Sequence, residues 1–190
     1  MKGCRATRGV GRARGLQAIA ALLALGALAA PMPARPVEVY SESAVKAAFV
    51  LRFAGYVEWT SDALPAGELR IAVLGDPAVA ASLETLAAGR ILSGRAVQVR
   101  AVRSVAQAMD AQVLVIGTAR RGGLASLLRP LAGQEMLIVT AEDDALAAGS
   151  VINFLKDGSR MRFEISLPAA RRMGLRVSSE LLSVAVRVQQ

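Results

Sequence analysis

Hydrophobic and polar positions along this chain change period repeatedly, and the changes mark out its elements. From Ser43 to about Trp59 the apolar residues recur at helical spacing, with Ser41 and Ser43 as candidate N-caps. After a loop over 60–67, the run Leu69–Leu74 reads as a strand ended by Gly75-Asp76-Pro77. Ala78–Ala88 reads as a helix closed by Gly89. Ala96–Val102 alternates apolar with polar positions and predicts a strand. A short helix near Ser104–Met109 leads into the uninterrupted apolar run Val113–Ile116. Gly122–Leu131 predicts a helix and Met136–Thr140 another apolar strand. Short apolar runs separated by helical stretches are the pattern of parallel βαβ units covered on both faces.

The pattern changes after Gly149. Val151–Leu155 and Met161–Ile165 are strand-like runs joined by Lys156-Asp157-Gly158-Ser159-Arg160, in which Asp-Gly is a strong hairpin signal. Leu167–Met173 follows as a helix closed by Gly174. Ser178 is placed to cap a last helix with Leu181, Leu182, Ala185 and Val188 on one face. The fold class this predicts is α/β: a single domain with a mixed, mostly parallel sheet flanked by helices, and a C-terminal β-hairpin and helices.

The first 34 residues follow a different pattern. Lys2, Arg5, Arg8, Arg12 and Arg14 precede an apolar run over Ala18–Ala30, followed by small residues and prolines. A basic start, a short apolar stretch and Ala27-x-Ala29 form the layout of a secretory signal peptide. The run is shorter than the roughly 20 residues a membrane-spanning helix needs, so an uncleaved anchor is the lesser reading. Cleavage after Ala29 or Ala34 would leave an N-terminal extension over 35–42 and a domain over 43–190, in the periplasm. Processing also changes the charge. The whole chain carries 23 Lys and Arg against 15 Asp and Glu, but five of the cations lie before residue 35, so the remainder is only about +3. Its arginines are scattered and not flanked by stacking aromatics, which excludes a nucleic-acid surface.

Composition removes most catalytic chemistry. The chain has no histidine, so His-based acid–base, nucleophile and metal sites are excluded. The single cysteine, Cys4, is lost with the signal peptide. Val73-Leu74-Gly75-Asp76-Pro77 has one glycine where a dinucleotide fingerprint has three. Glu142-Asp143-Asp144 lacks the alternation of a calcium loop and reads as a solvated helix start. No catalytic residue, cofactor or metal site is expected. An enzyme would need Asp76, Glu142 to Asp144 and Glu164 to converge in one pocket.

The most informative stretch is the first helix. Four of the seven aromatic residues occur there, at Phe49, Phe53, Tyr56 and Trp59. At 100° per residue the first three share an arc of about 60°, with Trp59 toward its edge. Lys46 and Arg52 flank this arc. An aromatic stripe of this kind packs inward more often than not. The other reading makes it a contact surface, because arginine beside aromatic residues is the composition enriched at interface hot spots. Arg52, Tyr56 and Trp59, with Arg171 in the C-terminal block, are the candidate partner-binding residues.

These segments carry a resemblance. The helix ending Val57-Glu58-Trp59-Thr60, the strand Ile71 to Asp76, the strand Val113 to Gly117 and Leu137 to Thr140 resemble, in order, the YfiR-like family. So does the block from Gly149 through Phe154, Arg162-Phe-Glu-Ile165, Ala170 to Leu175 and Ser179 to Leu182. The resemblance spans about residues 43–188. It implies a periplasmic α/β regulator that binds and represses an inner-membrane diguanylate cyclase or related sensor, lowering cyclic-di-GMP synthesis. A homodimer is a further expected partner state. The alternative class is a periplasmic small-ligand module using the carboxyl ends of the parallel strands. The best-known members carry cysteines where this chain has Ala72 and Ala111, so their redox-linked disulfides do not transfer.

Overall fold

The first helix starts where a serine can cap it. In a computed structural model describing residues 41–60, 67–117 and 123–190, α1 spans Glu42–Tyr56, and the Ser41 hydroxyl accepts the Ala44 N–H at 3.2 Å. The proposed signal peptide and most of the following extension lie outside the described residues. α1 buries Ala47, Val50, Leu51, Phe53 and Ala54. It ends three residues before its apolar pattern does. Val57–Trp59 forms β1, antiparallel to β9 (Leu175–Val177), and the Ser178 N–H reaches the Tyr56 carbonyl at 3.0 Å. A β-branched and an aromatic residue beside a free strand edge favour pairing over another helical turn, and Gly55 weakens the helix just before it.

The central sheet has eight strands in the order β10-β8-β7-β6-β5-β2-β4-β3. These are β2 (Glu68–Leu74), β3 (Ile91–Leu92), β4 (Arg95–Val102), β5 (Val113–Ile116), β6 (Leu137–Thr140), β7 (Ile152–Asp157), β8 (Arg160–Ser166) and β10 (Arg187–Gln189). β2 pairs in parallel with β4 and β5, β5 with β6, β6 with β7, and β8 with β10. Only β3–β4 and β7–β8 are antiparallel. The expected mixed, mostly parallel sheet is therefore present. β5 and β6 are buried along their whole length, which explains why they read as unbroken apolar runs. The six helices among the described residues are α1, α2 (Pro77–Ala87), α3 (Leu124–Leu128), α4 (Ala145–Ala148), α5 (Leu167–Arg172) and α6 (Ser179–Val184). Asp76 caps α2 through the Val79 N–H at 3.0 Å, and Pro77 occupies the first turn, where it forfeits no bond.

Several expectations are corrected in detail. The hairpin β7–β8 pairs Asp157 with Arg160, so the turn residues are Gly158-Ser159, not Asp-Gly. Gly158, at φ 58°, takes the first turn position that a II′ turn reserves for glycine. A second hairpin, β3–β4, for which the sequence reading offers no element before Ala96, turns on Ser93 and Gly94 at φ 49° and 77°, a I′ pair. The helix expected over 122–131 divides into α3 and a 3₁₀ turn over Arg129–Leu131, which contains Pro130. The last helix is also shorter than expected. Ala185 leaves it at ψ 140°, and Arg187–Gln189 joins the sheet as β10, so Ala185 and Val188 do not extend a helical face.

Exposed ion pairs tie adjacent elements. Asp110 binds Arg70 of β2 at 2.8 Å and also Arg100 of β4. Glu42 binds Lys46 and Lys156, each at 3.0 Å, joining α1 to the β7–β8 hairpin. The hydrogen bond from Lys46, then that from Lys156, holds the Glu42 carboxyl below its ordinary 4.5. The Arg100 hydrogen bond does most to hold Asp110 below 3.8. A carboxyl depressed in the folded state contributes stability above its unfolded value and loses that contribution as pH falls through its folded value. Thermal stability should therefore be flat with respect to these groups above about pH 5 and decline below the ordinary carboxylate values. Because both groups are half exposed, the slope is shallow. Asp110→Asn should flatten it further, as read by melting temperature against pH.

Candidate interaction surface

All four phenylalanines of the chain meet in one cluster. Phe49 and Phe53 lie one turn apart on α1, while Phe154 and Phe163 are a directly opposed pair in β7–β8. Phe53 is closest to Phe163, with ring centroids 4.8 Å apart, and lies 5.5 Å from Phe154 and 5.8 Å from Phe49. It is fully buried, whereas Phe49 is only partly covered. At Phe53 the aromatic arc is thus core, and at Phe49 it reaches the surface.

Beside Phe49 the surface is concave. A cleft of about 260 Å³ lies between α1, β8 and α6, with Phe49, Phe53 and Phe163 as its floor and Met161, Leu181 and Val184 on its walls. Arg52 and Arg162 stand at its edge. A second hollow of about 300 Å³ continues along α1 over Ala44, Val45, Ala48, Phe49 and Arg52. A third, of about 220 Å³, runs past Val45 and Met161 to Lys156 and Arg160. Val184 is 63% exposed, a large fraction for an apolar side chain.

The four candidate residues fall on three elements. Arg52 is exposed, and its guanidinium lies 5.7 Å from the centre of the half-buried Tyr56 ring, within cation–π range. Trp59 sits on β1 opposite Leu175, half buried, and its indole N–H finds no acceptor among the described residues. Arg171 is exposed in the last turn of α5, which packs against β9 and β10. The fold therefore joins Arg52 with Tyr56, and of the four only Arg52 lines the cleft. Lys46 is largely covered and committed to Glu42. The opposite wall, Met161, Arg162, Leu181 and Val184, escaped sequence reasoning. Only the alternation of β8 hinted at it, and alternation does not say which helix a strand residue will face.

Elsewhere a buried polar chain crosses three strands. The Asn153 amide donates to Glu164 at 2.9 Å, its carbonyl oxygen accepts from the Thr140 hydroxyl at 2.9 Å, and Thr140 also meets Ser150 at 2.9 Å. Glu164, almost fully buried, is balanced by Arg187 of β10. Of the carboxylates an enzyme would need, Asp144 and Glu164 line a common hollow of about 290 Å³, and Asp76 caps α2. Among the described residues no three potential ligands are placed to hold a metal ion.

The sheet order places a topological switch between β2 and β5, where open α/β sheets bind ligands. There the backbone closes in. A Cβ added to Gly117 would lie 2.6 Å from the Asp76 Cβ and 2.9 Å from the Gly75 carbonyl oxygen. Gly117 is packed directly against the Gly75-Asp76 turn.

Comparison with known proteins agrees with this architecture. The family described as YfiR/HmsC-like matches residues 43–186, well over half of the chain. No curated protein matches. Among solved structures, a conserved domain protein from Vibrio cholerae superposes with a TM-score of 0.54 at 12% identity, over 78% of this chain and 60% of that one. The chain thus spans less than two thirds of that structure, and at this identity the likeness is one of fold. An ABC domain from Streptococcus pneumonia in complex with L-Trp has a TM-score of 0.43 at 13% identity, over 63% of this chain and 55% of that one.

Proposed function

This chain belongs to the YfiR/HmsC-like family, and from that premise we propose that it represses an inner-membrane diguanylate cyclase from the periplasmic side. YfiR-like proteins are periplasmic, non-catalytic regulators of cyclic-di-GMP signalling that interact with a membrane signalling protein. In this reading residues 1–34 are an export signal that is removed, 35–42 form a short extension, and the domain over 43–190 carries the activity. Arg52 and Tyr56, with Trp59 and Arg171 as outlying contacts, belong to the surface that meets the partner.

One observation supports this more than any other. An apolar concave surface lies over the phenylalanine cluster with two arginines in its lining, and it is built from α1 and the C-terminal block. A histidine-free chain with such a surface is equipped to bind a protein and poorly equipped for acid–base chemistry. Deleting the gene should raise cellular cyclic-di-GMP, and restoring the full chain should lower it again. The protein recovered from the periplasm should begin between residues 30 and 35. Unchanged cyclic-di-GMP would overturn the regulatory reading, and an intact Met1 in the membrane fraction would overturn the export reading.

A further inference from the structure

We propose that the element seated on this protein is an amphipathic helix of the membrane partner, with carboxylates flanking its apolar stripe, lying along α1 and sending side chains into the cleft at Phe49. The proposal rests on the regulatory reading above and adds the chemistry and the form of the contact.

The shape comes first. The three hollows adjoin along α1 and the β7–β8 hairpin, since the first two share Phe49 and Arg52, the second and third share Val45, and the first and third share Met161. Their run along α1 from Ala44 to Phe53 covers nine residue steps, about 14 Å at the helical rise. Ala44, Ala48 and Arg52 stand four residues apart in one ridge. The two alanines leave the ridge low, so a second helix axis can approach closely, as ridge-into-groove packing requires. Arg52 then stands at the end of the contact, where the cleft over the phenylalanine cluster begins.

Charge selects the occupant. The charged residues lining the groove, with their ion-pair partners, comprise five cations (Lys46, Arg52, Lys156, Arg160 and Arg162) and two carboxylates (Glu42 and Asp157). The local excess of three positive charges equals the net charge of residues 35–190 as a whole, which leaves the rest of that chain balanced. A second copy of the protein is the wrong occupant. A two-fold contact through this face would set the same cations against themselves. A bilayer is also the wrong shape, because interfacial binding presents a projecting apolar face to the lipid, whereas here the apolar lining is a concave cleft in which Phe53 and Phe163 are buried. A helix with apolar residues on one stripe and carboxylates beside it satisfies both the floor and the edge.

The test uses the full chain in cells, with photoreactive benzoylphenylalanine in place of the exposed Ala48 and, as a control, in place of the exposed Arg103. Irradiation followed by peptide mass spectrometry should join position 48, and not position 103, to a helical segment of an inner-membrane protein with carboxylates beside its apolar residues. Arg52→Glu with Arg162→Glu should reduce that cross-link about tenfold or more. Replacing the partner's flanking carboxylates with lysine should restore it. A product with a second copy, with lipid, or with a segment lacking acidic residues overturns the proposal, as does indifference to the charge reversal. Absence of a product in cells whose cyclic-di-GMP rises on gene deletion overturns this proposal alone. A cross-linked acidic helix in cells whose cyclic-di-GMP ignores the deletion upholds it and overturns the regulatory reading.

Discussion

Replacing Phe53 with alanine is expected to destabilise the domain by about 3–5 kcal/mol, the range for removing a fully buried aromatic side chain. Its ring has no exposure and packs on the three other phenylalanines. The loss therefore combines the transfer of one ring, the cavity left behind and the ring contacts, of which the one with Phe163 is edge-on. Tight neighbours on three sides limit collapse into the space. For a domain of this size the melting temperature should fall by roughly 6–20 °C. Phe49→Ala supplies the internal comparison, because its ring is partly exposed and less of it is withdrawn from water. Equal losses at the two positions, or a shift below about 2 °C for Phe53→Ala, would mean that the cluster is not the core of this face.

Arg187→Ala is expected to cost about 2–3 kcal/mol, although only three residues follow it. Its partner Glu164 is 3% exposed and would keep the Asn153 amide as its remaining side-chain donor. Removing one member of a buried ion pair leaves an uncompensated charge, and the cost is large for that reason. The figure lies below the full range for buried pairs because the arginine side chain is itself 69% exposed. The same change frees β10, whose register on β8 runs from Arg187 opposite Glu164 to Gln189 opposite Ser166. Amide exchange at 187–189 should accelerate with the fall in stability. Removing both charges, as Glu164→Leu with Arg187→Leu, should cost clearly less than the sum of the single changes. Additive losses, or an Arg187→Ala protein within about 0.5 kcal/mol of the parent, would show that the pair carries no coupling.

Much of this architecture is legible in the order of residues because local physics already decides it. Unbroken apolar runs such as Val113–Ile116 and Leu137–Thr140 have no polar face to offer water, so they demand cover on both sides, and parallel crossovers provide it. Ser41 and Ser178 announce helix starts because their side chains can accept the first free N–H groups, and in the structure Asp76 and Ser166 cap in the same way. The absence of histidine is a property of the chain alone, and no folding can supply what it removes. The family resemblance likewise rests on residues taken in order.

The remainder was decided by partners distant in the chain. Val57–Trp59 carries a helical pattern yet becomes a strand, because Leu175–Val177, more than a hundred residues later, offers it an edge. Arg187–Gln189 leaves an expected helix because β8 presents both an unpaired edge and a buried carboxylate. The aromatic arc of α1 could be read as core or as surface, and only the hairpin phenylalanines settle that Phe53 is enclosed while Phe49 borders a cleft. Sequence spacing determines which side chains share one face of an element. What that face meets depends on contacts whose entropic cost and reward are settled only when the whole sheet is assembled, and that is why the far wall of the groove, Met161, Arg162, Leu181 and Val184, became visible only in the fold.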